Sequence, residues 1–376
     1  MPEAALKLRR ATVIELRGTE ASEQSVLARL DDGSTRPAIV DVALLGQCEV
    51  GDELIVNVQA RDLELGSGGF DIAHVNLTKG LEGEGTPGAH VMKLNYTSLQ
   101  HAVLPVEEHE MGGRPGAPEG APAAEAPSVK TAAAPSVTAP VAVLALHGQL
   151  APLAWAFARA APGATLGFVQ TLGGALCGGH SRVVRLLRER GLLAGHVTAG
   201  AAFGGESEAI TTAGALHHGA HALGWDAVVC GPGPGIVGSA SALGHGGMCA
   251  LDSAHTALAL GAATLLVARM SSGDPRERHR GISHHTLTVL DLLLAPVVVG
   301  LPRGGASDFH LASPVGADER GARLARHEWR RAPVDLDGYR DSGLPAETMG
   351  RSLAEDPLFF AAALAAGTVL AELSAA

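Results

Sequence analysis

The sequence predicts an α/β protein: a three-layer, doubly wound, mostly parallel sheet, preceded by a small all-β, barrel-like domain. Three observations predict it. Residues 1–80 break into short strand-like runs separated by turn residues. Residues 111–140 are rich in Pro, Ala, Gly and Glu and carry no periodicity. From residue 141 onward, strand-like and helix-like segments alternate strictly. Such alternation marks parallel βαβ units joined by right-handed crossovers. A chain of 376 residues has room for two domains. The expected division is a barrel-like domain over 1–80, a connector over 81–110, a linker over 111–140, and an α/β domain with C-terminal helices over 141–376.

In the first region the strand-like runs are 11–16, 25–30, 36–42, 53–59 and 70–76. Asp32-Gly33 marks a hairpin turn, and Gly51-Asp52 and Gly66-Ser67-Gly68-Gly69 punctuate the rest. Five strands in this length suggest a small barrel or sandwich. Residues 91–99 in the connector are polar-apolar and can pack on either domain. The linker cannot bury a core. Beyond it, 141–146 is a continuous apolar run, as in a strand covered on both faces. Further strands are expected at 165–170, 193–197, 227–230, 264–268 and 297–301. Helices are expected at 152–161, 181–190, 208–223, 249–260 and 284–293. The tail should add helices at 318–331 and 358–373. The first starts acidic and ends in Arg330-Arg331, as a helix dipole prefers. The second closes the core or makes a subunit contact.

Composition excludes several classes. The formal net charge is −11, which argues against a nucleic-acid binder, since that function needs a basic face. The barrel-like region lacks the basic and aromatic faces of oligonucleotide-binding barrels, so an accessory or interface role fits it better. Apolar content is 46% and aromatic content 3%, so the core is Ala, Leu and Val. No apolar run of about eighteen residues is present, and we expect no membrane span. The N-terminus lacks an apolar signal core. Cys48, Cys177, Cys230 and Cys249 show no C-x-x-C spacing, which points to reduced thiols in a cytoplasmic protein. P-loop, G-x-S-x-G and H-E-x-x-H signatures are also absent, against NTPase, serine-hydrolase and metalloprotease readings.

The chemistry concentrates where an open parallel sheet binds ligands, beyond the carboxyl ends of its strands. Five loops leave those ends: His147-Gly148-Gln149, Thr171–Gly174, 200–206, 231–247, and the segment 270–286. The reverse loops are short and plain. Segment 270–286, M-S-S-G-D-P-R-E-R-H-R-G-I-S-H-H-T, packs three arginines and three histidines between a strand and a helix. Ser283 is a good N-cap. His284 and His285 then fall in the first helical turn, where the dipole favours anions and keeps imidazoles neutral. Neutral imidazole can transfer protons or bind a metal. Arg276, Arg278 and Arg280 can fork onto phosphate or carboxylate. The plain alternative is a surface loop whose Asp274 and Glu277 pair with its own arginines.

The other loops supply weaker signals. Gly231, Gly233 and Gly235 belong to G-P-G-P-G-I-V-G, which contains a literal G-x-G-x-x-G. Yet Pro232 and Pro234 have no amide hydrogen to offer a phosphate. Asp252 lies where no ribose ligand belongs, whereas Arg269, at a strand end, can meet a 2′-phosphate. Otherwise the loop is a Gly-rich turn packed against its neighbours. Gly204 and Gly205 precede Glu206, a base or metal-ligand candidate that equally suits a helix start, with Ser207 as its cap. His245 lies on the carboxyl edge. His217, His218 and His221 share a helix away from it and read as a packing cluster. Cys230 reads as a small buried residue, and Arg351 as an ordinary solvated arginine.

G-S-G-G-F in the barrel region, A-F-G-G-E, G-P-G-P-G-I-V-G, R-E-R-H-R-G-I-S-H-H and T-M-G-R-S-L-A-E-D-P together resemble a bacterial family known only as a domain of unknown function. The resemblance implies that these segments belong together and carries no activity. We expect an enzyme for a small anionic or phosphorylated metabolite. His279, His284, His285, His245 and Glu206 are its acid–base or metal-binding candidates. His147, Gly204, Gly205, Gly231, Gly233, Gly235, Arg276, Arg280 and Ser283 are its ligand-binding candidates. Three other readings stand beside it: a non-catalytic sensor of such a ligand, a structural homo-oligomer, and an NADP-type nucleotide-binding protein. No cofactor is named by the residues, and neither nucleic acid nor membrane is an expected partner.

Overall fold

In the first unit, Met1–Val103, a period of two closes a barrel. Strands β1 (Leu8–Glu20), β2 (Glu23–Leu30), β3 (Thr35–Asp41), β4 (Glu53–Asn57) and β5 (Asp71–Asn76) join in the order β1-β2-β3-β5-β4. The pairing of β1 with β4 completes the ring, and β3 runs parallel to β5. Val26, Ala28 and Leu30, like Ala38 and Val40, point inward at alternate positions and are buried. The β2–β3 turn falls at Asp32-Gly33 as expected. Gly33 takes φ +84, and the Asp32 carboxylate accepts from the Ser34 amide at 2.9 Å. Residues 91–93 and 101–103 form a small antiparallel ribbon within this unit.

The computed structural model describes residues 5–20, 22–65, 68–109, 135–303 and 319–376. Most of the expected linker, 111–134, lies outside the described residues. Its last part does not behave as a linker. Val137 and Ala139 are buried, and the Val137 amide donates to the Leu260 carbonyl.

The second unit, Leu104–Ala376, carries an eight-stranded, all-parallel sheet. Its strands are β6 (Val141–Val143), β7 (Leu166–Thr171), β8 (Gly195–Ala199), β9 (Ser207–Ala209), β10 (Ala227–Pro232), β11 (Thr264–Leu266), β12 (Val298–Pro302) and β13 (Glu328–Ala332). They lie in the order β9-β8-β7-β10-β6-β11-β12-β13. Helices α1 (Leu150–Ala160), α2 (Arg182–Glu189), α7 (Leu336–Asp341) and α8 (Pro357–Ser374) cover one face. Helices α3 (Thr212–His221), α4 (Cys249–Ala259), α5 (His284–Leu292) and α6 (Glu319–Ala325) cover the other. Val141 and Val143 of β6 pack toward Leu216, Ala254 and Leu290. Ala142 and the following Leu144 pack toward Leu153 and Phe360. Both faces are dry, so the strand reads as a continuous apolar run. Close layering needs small residues: a Cβ on Gly167 would lie 1.9 Å from the Trp225 ring.

The topology fixes where a site belongs. Strands β6 and β7 lead to helices on one face, and β10 and β11 to helices on the other. In the order β7-β10-β6-β11, neighbouring strands therefore send the chain in opposite directions. Such switch points open a crevice at the carboxyl ends.

Two expected helices are corrected. The helix expected over 208–223 begins at Thr212, where the Thr211 hydroxyl accepts from the Gly214 amide. Ser207–Ala209 pairs instead with β8 as an edge strand. Glu208 turns back on the Gly204 amide, and Glu107 takes the Ile210 and Thr211 amides. The helix expected over 318–331 ends at Ala325 in the described part. Residues Glu328–Ala332 form the other edge strand, so Arg330-Arg331 sit on a strand and not at a helix end. One apolar run is longer than expected: among the described helices, α8 alone has the length and apolarity to cross a membrane, by length and composition only. Its residues are 72% buried within the protein, as in a core helix.

Candidate active site at the carboxyl edge

The segment after β11 is held by backbone before any side chain matters. Arg269 donates its amide to the Thr286 hydroxyl at 2.9 Å, and its carbonyl accepts from the Ser283 amide at 2.9 Å. Met270–Ser271 pairs antiparallel with Gly281–Ile282, so residues 272–280 form a closed loop. Ser283 caps α5, its Oγ accepting from the His285 amide. His284 and His285 therefore occupy the first helical turn, as the sequence predicts.

Charge in this loop is organised around one carboxylate. The buried Asp274 receives a two-pronged fork from Arg276, Nε at 2.9 Å and Nη2 at 2.8 Å. Arg269 Nη2 reaches it at 3.3 Å and Arg351 Nη2 at 3.4 Å. The hydrogen bonds from Arg276 hold the Asp274 carboxyl well below the usual carboxylate range. Arg351 also donates to Asp356 at 3.1 Å. Asp356 precedes α8 without capping it. Its oxygens instead accept from the Ser271 hydroxyl at 2.6 Å and the Ser272 amide at 2.8 Å. So Arg351, read from sequence as solvated, is a half-buried strut between two acids. Arg276 is largely committed to Asp274, as the plain reading of the loop has it. Arg280 is exposed and donates to the Asp274 carbonyl, and Arg278 is exposed.

Arg269 differs from the rest. It is 3% exposed, and its Nε is buried without a hydrogen-bond partner. Burial pulls its pKa down to about 10, against the pull of Asp274. Three guanidiniums thus share two carboxylates, and one of the three retains an unused buried donor.

Four imidazoles gather beside it. His245 stacks on His285 at 4.0 Å between ring centroids, with 16° between the planes. His284 lies 3.9 Å from His285, and His279 lies 5.0 and 5.3 Å from His284 and His285. His279 Nδ1 bonds Ser283 Oγ at 2.8 Å, and His245 Nδ1 accepts from the Gly247 amide at 3.0 Å. His284 Nε2 and His285 Nδ1 are buried without partners. All four rings are neutral at pH 7. Burial is the largest cause, followed by neighbouring charges, Arg269 among them. His245 and His279 fall to about 4, His285 to about 3, and His284 below its ordinary value. The sequence assigned this neutrality to the helix dipole, whereas desolvation dominates.

The remaining candidates separate into neighbours and outsiders. His147 is buried in the adjacent loop after β6. Its Nδ1 donates to the Pro232 carbonyl at 3.0 Å, and its Nε2 accepts from the Ser181 hydroxyl at 2.7 Å. It ties three loops together and has no nitrogen to spare. Gly231, Gly233 and Gly235 lie in the loop after β10, whose glycines serve packing. A Cβ on Gly231 would meet Leu144 at 2.7 Å, and one on Gly233 would meet the Ala175 carbonyl at 2.4 Å. Gly235 takes φ +72 over open space. Gly204, Gly205 and Glu206 lie between β8 and β9, toward the sheet's edge. Gly204 donates to Glu208, Gly205 to Thr198, and Glu206 pairs with Arg188 at 2.6 Å. They are not part of the histidine cluster. His217 and His221 lie 4.5 Å apart between ring centroids, tilted by 45°, on α3, and His221 bonds the Ser136 carbonyl. Cys230 is fully buried, as a small core residue, and that burial pushes its thiol up to about 12.

Sequence reasoning missed His196 and Asp356. His196 stacks on Phe168 at 5.3 Å and bonds Gln170 Oε1 at 3.1 Å. Asp356 could have been flagged as an acid set before a long apolar helix, but only Arg351 among its partners is near in sequence, and Ser271 and Ser272 lie more than eighty residues away.

The fold and site define a class: a small closed barrel joined to a parallel α/β unit with a histidine–arginine cluster at a switch point. Residues 37–367 match the family described as Protein of unknown function (DUF3866), and the chain belongs to that family. No curated protein and no solved structure matches the chain.

Proposed function

We propose that this protein is an enzyme that binds a small anionic metabolite, phosphorylated or carboxylated, at the carboxyl edge of its parallel sheet. The observation that carries this reading is Arg269, a buried guanidinium with an unpartnered Nε inside a group where three arginines meet two carboxylates. Leaving a buried charge incompletely paired is costly, and an anion beside it removes that cost. Arg269 takes the role of primary anchor. Arg276, half-exposed and already forked onto Asp274, steers from outside. Neutral imidazole beside the anchor supplies the chemistry, with His245 as the proton-transfer candidate. Four free cysteines suit the cytoplasm.

Inorganic phosphate is the first probe. It should raise the melting temperature of the wild-type protein, and the shift should shrink with added sodium chloride. Arg269→Met should abolish the shift, whereas Arg278→Ala, exposed in the same loop, should retain most of it. No shift, or an equal one in Arg269→Met, contradicts the reading. Turnover of phosphorylated and carboxylated metabolites, inhibited by phosphate, then identifies an enzyme. Phosphate-competed binding with no turnover identifies a sensor.

A further inference from the structure

We propose that His279, His284 and His285 together bind one divalent transition-metal ion of the zinc class, through three imidazole nitrogens, with a coordination position left open. One ring nitrogen from each residue lies within 4.8 Å of the other two. A metal held at about 2.0–2.1 Å from each nitrogen places its ligands roughly 3.4 Å apart, so small side-chain rotations close the set.

Hydrogen bonding points to the same three residues. His284 Nε2 and His285 Nδ1 are both buried with no partner, and His285 is only 4% exposed. Buried imidazole nitrogens ordinarily find a partner, as both nitrogens of His147 do in the neighbouring loop. Two orphans on adjacent residues of one histidine group are accounted for together by one missing partner. His279 completes the set. Its Nδ1 is engaged by Ser283 Oγ, and with the proton on Nδ1 its Nε2 is left as a lone pair. A metal-bound histidine usually has its far nitrogen fixed by a hydrogen-bond acceptor, and the Ser283 hydroxyl supplies one here.

His245 is excluded as a ligand by the same reasoning. Its Nδ1 accepts from the Gly247 amide, so the neutral ring carries its proton on Nε2. It lies flat on His285 and fixes the plane of that ring. The donor set contains no carboxylate and no thiolate. Three imidazoles favour zinc, cobalt, nickel, copper or iron over magnesium or calcium. Arg269, Arg276 and Arg278 bring opposing positive charge to these rings. Asp274 offsets part of it, and an anion in the open position would offset more.

The test uses the full chain, stripped with a chelator and dialysed into phosphate-free buffer, with Co²⁺ alone as the probe. The expected result is one equivalent of tightly bound Co²⁺, with visible d–d absorption that Zn²⁺ displaces. His285→Ala and His279→Ala should abolish tight binding. Ser283→Ala should weaken it about 10–100-fold, the usual effect of removing an outer support. His217→Ala, in the histidine pair on α3, should leave it unchanged. Absence of tight binding to the folded wild type overturns the proposal, as does binding lost in His217→Ala and retained in His285→Ala. Should the alanine variants fail to fold, His284→Gln at a half-buried position decides. Unchanged Co²⁺ affinity in folded His284→Gln overturns the proposal, and loss of affinity supports it. Arg269→Met should retain Co²⁺ while losing phosphate, so this proposal and the anion reading fail separately.

Discussion

His147 and His285 make an instructive pair. Both lie at the carboxyl edge of one parallel sheet, His147 in the turn after β6 and His285 in the first turn of α5, which follows the neighbouring strand β11. Both are more than nine-tenths buried, and burial holds both neutral. They differ in completion. Both nitrogens of His147 are spoken for, by a carbonyl and a hydroxyl on two other loops. His285 lies among other imidazoles and has a buried nitrogen bonded to nothing. A satisfied buried histidine is a structural tie, because each partner would otherwise be stranded. An unsatisfied one carries a standing cost that folding alone does not explain. The same contrast separates Arg276, closed on Asp274, from Arg269, whose Nε remains open.

That contrast makes graded predictions for stability in urea, with metal and phosphate removed. The largest effect belongs to Asp274→Asn, which leaves Arg269, Arg276 and Arg351 facing one another. We expect a loss of about 3–5 kcal/mol, the usual cost of breaking a buried ionic group. A loss below about 1 kcal/mol would mean the arginines are held by something else. The Asp274 carboxyl titrates lower in the folded protein than in the unfolded chain. Its stabilisation is therefore complete above the unfolded value near 3.8 and is lost as pH falls below it.

Next comes His147→Leu, which strands the Pro232 carbonyl and deprives the Ser181 hydroxyl of its acceptor. The expected cost at pH 7 is about 2–3 kcal/mol. The same variant should alter the pH profile. His147 falls from 6.5 to about 4 on folding, because burial penalises its charged form. The folded state then binds fewer protons, so its contribution is full above pH 6.5 and drains away as pH falls toward 4. Each such ring adds a slope of about 1.4 kcal/mol per pH unit in that window. Wild type should therefore lose more stability between pH 7 and pH 5 than His147→Leu does. Equal losses would show that His147 is not buried and neutral.

The smallest effect is expected for His285→Leu. Replacing an unpartnered imidazole by an apolar side chain of similar bulk strands no hydrogen-bond partner. The cost should stay below about 1 kcal/mol. A penalty as large as that of His147→Leu would erase the distinction between the two histidines.

Much of this molecule is legible in the sequence, for identifiable reasons. The barrel strands β2 and β4 follow a period of two, and Asp32-Gly33 marks the β2–β3 turn. The central strands of the sheet are apolar on both faces and alternate with helices. Ser283 announces α5, and with it the position of His284 and His285. The edge strands Ser207–Ala209 and Glu328–Ala332 are illegible because a short edge strand keeps polar residues on its open side. Glu208 and Arg330 both look helical for that reason. The site is legible as a location and only partly as a list. A histidine with two partners and one with none are the same letter, so His147 and His285 cannot be ranked without coordinates. Arg351 and Asp356 reach the cluster across about eighty residues of chain, and no local spacing records that approach. Glu206 lies apart from the histidine cluster for the opposite reason. It follows a strand as expected, but β8 and β9 lie toward the sheet's edge, and its carboxylate pairs with Arg188.

The central claim is that the incompletely paired groups after β11 await a ligand. The most direct measurement is a crystal structure of the full chain with inorganic phosphate, compared with one grown without any added oxyanion. The account predicts a tetrahedral anion within hydrogen-bond distance of Arg269 Nε in the first, on the side of the sheet edge that holds His279, His284 and His285. A structure in which Arg269 Nε is bonded to a protein carbonyl or a single water, and phosphate leaves no density beside it, would contradict it.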